Sequence, residues 1–269
     1  MLKHKAKKSL GQNFLKSADA LRKIILAGGV NQNDVVLEIG PGKGALTEKI
    51  LEAGGKVLAV EKDDDLLEFL TGKFHQQIAN ESLHLVHDDI LEFDPKSNGL
   101  KKGEYKIIAN IPYNITGAIL KKFLTNENNP ERMVLMVQNE VAKRIVARDN
   151  KESLLSISVK AYGEPSVVTK VPARYFSPAP KVDSAVILIK NISKNLFISE
   201  KMEEIKFWTL LKTGFAHKRK VLAGNLRDLN QEFDWQKALI DINLSPKTRA
   251  EDLKLTDWIK LYKNTHNLF

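Results

Sequence analysis

Asp34-Val-Val-Leu-Glu-Ile-Gly40-Pro-Gly42-Lys-Gly44-Ala-Leu-Thr-Glu-Lys-Ile50 changes its hydrophobic period halfway along. Residues 35–39 form a short apolar run, the pattern of a buried strand, whereas Leu46 and Ile50 recur at helical spacing. Gly40, Gly42 and Gly44 join the two. Glycine lets the backbone turn tightly and approach a ligand at the helix N-terminus. Strand, glycine loop and helix open an α/β sheet, and Gly40-x-Gly42-x-x-Ala45 also fits the spacing of a dinucleotide fingerprint.

The unit repeats downstream. Residues 56–60 form a second strand that ends in Glu61, about twenty residues past the first glycine, where an acid grips ribose hydroxyls. Residues 83–87 form a third strand running into Asp88-Asp89, and residues 106–109 a fourth running into Asn110-Ile-Pro-Tyr113. A helix over 115–126, a strand over 132–138 and helices over 139–148 and 154–161 follow, with 166–171 and 184–189 paired as a terminal hairpin. This alternation predicts an α/β fold with a doubly wound sheet, whose ligands bind at the carboxyl ends of the strands.

Spacing alone leaves NAD and S-adenosylmethionine both open. Charge separates them: a pyrophosphate would sit beside Glu38, whereas a ligand carrying a sulfonium and an ammonium group welcomes carboxylates. Acids after three successive strands favour S-adenosylmethionine, with Glu61 assigned to its ribose and Asp89 to its adenine.

Residues 110–113 then fall on the same edge. Asn110 offers a carbonyl acceptor, Pro112 forces the preceding residue into an extended conformation, and Tyr113 supplies a flat face. Such a turn suits a flat ring bearing an amino group, with the Asn110 side chain and a turn carbonyl accepting the amino hydrogens. A strand-ending proline turn with a buried tyrosine is the simpler alternative. Phe176, in the stiff loop 174–183 with Pro178 and Pro180, is core or a second stacking surface.

Ahead of this domain Ser17 caps a helix whose apolar face is Ala18, Leu21, Ile24 and Ile25, and Gly28-Gly29 ends it. Leu10, Phe14 and Leu15 are too apolar to float free, so the segment before that helix docks on the domain. Beyond residue 192 the pattern is helical, over 202–212, 215–225, 235–242 and 252–262. Leu211, Phe215, Leu222 and Leu226 form a stripe, with Lys218-Arg219-Lys220 between them. The expected division is a sheet domain over 1–191 and a helical domain over 192–269.

Composition bounds the chemistry. A chain of 269 residues, 43% hydrophobic, builds one large domain and a smaller one. It has no cysteine, which excludes a thiol nucleophile, an iron–sulfur cluster and Cys-ligated zinc. No metal site is expected. The net charge is +9, concentrated in an N-terminal arm (Lys3, His4, Lys5, Lys7, Lys8) and in residues 218–220, a placement that favours a nucleic-acid partner over a merely solvated surface. No apolar run reaches the ~18 residues of a membrane span, and the N-terminus lacks the apolar core of a signal peptide. The expectation is a cytoplasmic monomer with no membrane association.

Leu10-Gly-Gln-Asn-Phe-Leu15, Glu38-Ile-Gly-Pro-Gly-Lys-Gly44, Asp89-Ile-Leu, Asn110-Ile-Pro-Tyr113 and Phe176-Ser-Pro-Ala-Pro-Lys-Val-Asp-Ser184 together resemble the ribosomal RNA adenine N6,N6-dimethyltransferases, specifically the small-subunit branch. The resemblance implies a Rossmann-like class I methyltransferase sheet with a small C-terminal all-helical domain, S-adenosylmethionine as methyl donor, and small-subunit ribosomal RNA, within a small-subunit particle, as partner. It further implies that Asn13 and Leu15 cover the cofactor, that Gly40 and Gly42 line it, that Asn110 touches cofactor and target, and that Tyr113 and Phe176 sandwich a flipped adenine. Asn110, Pro112, Tyr113 and Phe176 are thus the expected catalytic residues. Two other readings are a large-subunit methyltransferase conferring antibiotic resistance and a non-catalytic RNA-binding assembly or transcription factor on the same fold.

Overall fold

A computed structural model describes residue 7 and residues 10–268; Lys3, His4, Lys5 and Lys8 of the basic arm lie outside the described residues. The described chain enters the fold through a two-residue strand, Phe14–Leu15 (β1), and a helix, Ala18–Gly28 (α1). Ser17 Oγ accepts the Ala20 N–H at 3.3 Å, and Gly29 closes the helix in the left-handed conformation with its N–H on the Leu26 carbonyl. Val35–Ile39 (β2), Ala45–Glu52 (α2), Lys56–Glu61 (β3), Asp64–Lys73 (α3), His75–Ala79 (α4) and Leu83–His87 (β4) follow. Next come Tyr105–Asn110 (β5), Thr116–Thr125 (α5), Arg132–Gln138 (β6), Asn139–Val146 (α6) and Leu154–Lys160 (α7). Glu164–Val171 (β7), Phe176–Ser177 (β8) and Ser184–Lys190 (β9) complete the strands. The helices α3 and α4 had no counterpart in the sequence reading.

Seven strands form the main sheet in the order β4-β3-β2-β5-β6-β9-β7. Neighbours among β2 to β6 are parallel, and β9 runs antiparallel between β6 and β7. The central strands are buried on both faces, which is why they read as unbroken apolar runs: Val36, Leu37, Ile107, Ile108, Val134 and Leu135 are all inaccessible. The winding reverses between β2 and β5, where Leu37 lies beside Ile107. That reversal opens a crevice at the carboxyl ends of these two strands. A separate two-stranded ladder pairs Phe14 with Ser177 and Leu15 with Phe176, tying the N-terminal segment to the loop before β9.

The chain divides into two compact units. One runs through Ala142 and includes Gly163–Ile192; the other comprises Lys143–Tyr162 and the residues from Ser193 onward. The second unit therefore holds a segment that the linear division at 191 assigned to the sheet. Hydrogen bonds within the second unit show why: the Glu152 N–H donates to the Glu251 carbonyl, and the Tyr162 hydroxyl reaches Glu204 Oε1 at 2.5 Å. Its other helices are Asn195–Ser199 (α8), Glu204–Gly214 (α9), Leu222–Leu226 (α10), Trp235–Asp241 (α11) and Leu255–Thr265 (α12).

One expected helix is not there. Residues 215–225 were read as continuous, but residues 216–220 form turns and only α10 is helical. The buried Asn225 side chain donates to the carbonyls of Gly214 at 2.6 Å and His217 at 3.2 Å, taking acceptors that a continuing helix would give to backbone N–H groups. The apolar stripe survives the break, since Leu211, Leu222 and Leu226 are fully buried and Phe215 stacks on Trp258 with centroids 5.5 Å apart. Lys218, Arg219 and Lys220 are exposed on the turn.

Two features of the glycine loop matter for packing. At Gly44 φ is +74°, and a Cβ would stand 2.4 Å from the Phe74 ring, so both backbone and space demand glycine. Beside it, β2 buries a carboxyl: Glu38 is 1% exposed. Thr47 donates to its Oε2 at 2.7 Å, while Oε1 is buried without a partner among the described residues. Burial pushes the Glu38 carboxyl up to about 8, a rise that the Thr47 hydroxyl opposes and the Glu61 charge assists.

This burial has a pH signature. Between the ordinary value of 4.5 and about 8 the folded chain holds a proton that the unfolded chain has released. The stabilising contribution is complete below 4.5 and is lost as pH rises through about 8. Denaturant unfolding should therefore show stability falling over that window, and Glu38→Gln should flatten the fall; identical pH dependence in the two proteins would disprove the assignment.

Candidate active site

A cavity of about 440 Å³ occupies the crevice at the carboxyl ends of β2 to β5. Its walls are residues 10–16, the glycine loop, Glu61 and Lys62 after β3, residues 88–91 after β4, and residues 110–115 after β5. The parallel arrangement explains most of the convergence, since the loops after β2, β3, β4 and β5 leave the same edge of the sheet, while residues 10–16 are brought there by their pairing with β8.

Glu61 ends β3 and is buried. Its Oε1 accepts the N–H groups of Lys62 at 2.9 Å and Asp63 at 3.0 Å, and its Oε2 accepts the Gly42 N–H at 3.3 Å. Burial raises its pKa, and the three N–H groups oppose the rise. Asp89 is held differently. The Lys62 ammonium at 2.7 Å, seconded by the Leu91 N–H at 2.9 Å, keeps its carboxyl below the usual range. Gly40, at φ +62°, has no atom within 4 Å of a would-be Cβ, so that side of the loop faces open space in the cavity wall.

Asn110 ends β5. Its Nδ2 donates to the Asn13 carbonyl at 2.9 Å. Because a carbonyl accepts only from the NH₂ end, this bond fixes the amide and leaves Oδ1 as the acceptor end. Pro112 follows at φ −60° and ψ 131°, and the Thr116 hydroxyl donates to the Tyr113 carbonyl at 3.1 Å, closing the turn. Tyr113 is half-buried, with its hydroxyl 2.5 Å from Ser184 Oγ. Burial raises the pKa of this phenol, and the Ser184 hydrogen bond opposes the rise.

The structure brings Asn13, Leu15, Gly40, Gly42, Glu61, Asp89, Asn110, Pro112 and Tyr113 to one cavity. Phe176 stands apart. It is 3% exposed, packs in the core with Leu15, Val171 and Val186, and does not line the cavity; its neighbour Ser177 does.

Several site residues escaped the sequence reading. Lys7, counted there as part of a phosphate-binding arm, instead pairs with Asp63 at 2.5 Å and Asp65 at 2.8 Å. Gln12 Nε2 also donates to Asp63, at 2.7 Å. These bonds hold Asp63 low against its own burial and strap residues 10–16 over the cavity. No local pattern marks such contacts, because the partners lie more than fifty residues apart. Ser184 is likewise invisible as a partner of Tyr113 until β9 is placed.

A family model described as Ribosomal RNA adenine dimethylase matches residues 3–267. "Ribosomal RNA small subunit methyltransferase A" of Dehalococcoides mccartyi (strain CBDB1) is 42% identical over 262 residues, covering 96% of this chain and 87% of that protein. The protein of the same name from Fusobacterium nucleatum is 38% identical over 265 residues, covering 97% of this chain and 98% of its own. Among solved structures, a dimethyladenosine transferase from Plasmodium falciparum superposes with a TM-score of 0.79 at 26% identity, covering 95% of this chain and 98% of that one. The 23S rRNA methyltransferase ErmE shares the fold, with a TM-score of 0.75 at 22% identity over 93% of this chain and 98% of its own. With the family matched from residue 3 to residue 267, the chain belongs to the ribosomal RNA adenine dimethylases.

Proposed function

We propose that the protein dimethylates the exocyclic amino group of adenosines in small-subunit ribosomal RNA, with S-adenosylmethionine as methyl donor. The observation that carries this reading is the Asn110 amide, locked by Asn13 with its acceptor end unpaired among the described residues beside an acid-lined cavity. The residues fit the donor. Glu38 Oε1 is buried with no partner among the described residues, and an ammonium beside it would favour the ionised carboxyl over the protonated form that burial alone favours; Glu61 suits ribose hydroxyls and Asp89 the adenine amino group; Gly40 leaves room where a side chain would intrude. Asn13 and Leu15, on the strap, and Gly42 complete this set.

Bound there, S-adenosylmethionine supplies an electrophilic methyl group on a sulfonium. The chain's own work lies with the adenine. Its exocyclic nitrogen is a poor nucleophile because the lone pair is delocalised into the ring. Hydrogen bonds from both amino hydrogens localise that pair, and acceptors already in place cost no reorganisation. One is Asn110 Oδ1. Of the turn's carbonyls, that of Pro112 accepts from Ile115 and that of Tyr113 from Thr116, so we assign the second amino hydrogen to Ile111. The methylated nitrogen is cationic and loses its proton without a strong base.

Tyr113 provides the face for the extruded base. A sandwich with Phe176 would require that ring to leave the core. Its burial is worth ~1.5–3 kcal/mol, about as much as one base stack, so the gain cancels the cost and Tyr113 is the working surface. Lys218, Arg219 and Lys220, exposed on their turn, suit RNA phosphates. The substrate we assign is RNA within a small-subunit particle, met by a single copy of the chain. The full-length relatives named as small-subunit enzymes favour this over a large-subunit substrate, and the oriented Asn110 favours it over a pure binder.

Two experiments test this reading. Asn110→Ala, assayed in single turnover at saturating S-adenosylmethionine, should slow methyl transfer by about 100-fold or more with RNA affinity scarcely changed. Transfer at nearly the wild-type rate would return residues 110–113 to a structural turn. Replacing residues 218–220 with neutral side chains should flatten the slope of log RNA affinity against log salt and leave cofactor affinity alone. A slope equal to wild type would make those residues solvated surface.

A further inference from the structure

Ser184 is wholly buried at the first position of β9, where its neighbours in the sheet are Gln138 of β6 and Val171 of β7. Its hydroxyl lies 2.5 Å from that of Tyr113. Tyr113 leaves the turn after β5, and the sheet runs β5, β6, β9. The side chain therefore spans the end of β6 to reach the next strand but one. Its near end is set by Pro112 and by the Thr116 hydroxyl on its carbonyl. Among the described residues, Ser184 alone sets its far end by a hydrogen bond to its hydroxyl.

We propose that Ser184 is a positioning residue for methyl transfer, holding the hydroxyl end of Tyr113 so that the ring offers the target adenine a face of fixed tilt. The inference rests on the reading of Tyr113 as the stacking surface. Ser184 does not line the cavity, so it acts through the tyrosine. An untethered ring turns about its side-chain bonds, and that freedom must be given up when the base arrives; a tethered ring has already lost it. A fixed tilt also sets how far the adenine amino group sits from Asn110, which lies at the start of the same turn.

The test is a double-mutant cycle in single turnover at saturating S-adenosylmethionine, on unmethylated small-subunit particles from cells lacking the gene. Ser184→Ala and Tyr113→Phe each remove one hydroxyl and should each slow transfer about fivefold, the worth of one ordinary hydrogen bond. The double variant should be no slower than the slower single one. Cofactor affinity by calorimetry should equal wild type in all three, which a general loss of folding would not allow. Should Ser184→Ala not fold, Ser184→Cys, whose thiol is a far weaker hydrogen-bonding group, takes its place in the cycle. Losses that multiply in the double variant overturn the proposal. So does a wild-type rate for Ser184→Ala while Tyr113→Ala is slow. If Tyr113→Ala itself transfers at the wild-type rate, the stacking reading has failed first and the positioning role falls with it.

Discussion

The parallel pairing of β2 with β5, Val35 to Leu37 against Tyr105 to Ile107, is the contact on which the site depends. The chain winds outward from β2 through β3 to β4, returns past β2, and winds the other way through β5 and β6. Loops leaving β2 and β5 therefore diverge to opposite sides and open a crevice between them. The glycine loop and the Asn110 turn are its two walls. Neither is ligand-shaped by itself; the reversal sets them face to face.

A sheet edge carrying several acids must stabilise them without a solvent shell, and this one does so in three ways. Glu38 favours its protonated form up to about pH 8, because burial outweighs the hydrogen bonding from Thr47. Glu61 is buried too, but three backbone N–H groups orient its oxygens. Asp63 and Asp89 use cations, Lys7 and Lys62. The Lys62–Asp89 pair is exchangeable, because exposed ion pairs contribute little, whereas the Asp63 carboxyl paired with Lys7 is buried. A positively charged ligand entering the cavity meets one neutral acid, one oriented acid and one acid whose counter-ion is the exposed Lys62.

Strand positions were legible because the sheet is buried on both faces and its strands are continuous apolar runs ending in glycine, acid or proline. The edge where function gathers followed from that order. Lys106 illustrates the limit: a charged residue inside a run read as buried, it is indeed buried, and it is accommodated by Asp34 Oδ2 at 2.6 Å and the Gly29 carbonyl at 2.7 Å. Only the fold shows those partners. The broken helix at 215–225 failed for a related reason, since helical spacing of apolar residues persists whether or not a side chain such as Asn225 intercepts the backbone acceptors. Phe176 was ambiguous as core or stack, and its pairing beside Leu15 places it in the core.

The ladder between β1 and β8 joins Phe14 to Ser177, segments roughly 160 residues apart in the chain, which makes it one of the least local contacts in the first unit. During synthesis the residues that strap the cavity leave the ribosome early and wait for their partner strand until most of the sheet has emerged. Asn13 can orient Asn110 only once that strap is held down. A nascent or truncated chain ending before residue 176 has the glycine loop, the acids and the Gln12–Asp63 tie but lacks the β8 pairing of Phe14 and Leu15, so its strap is held at one end only.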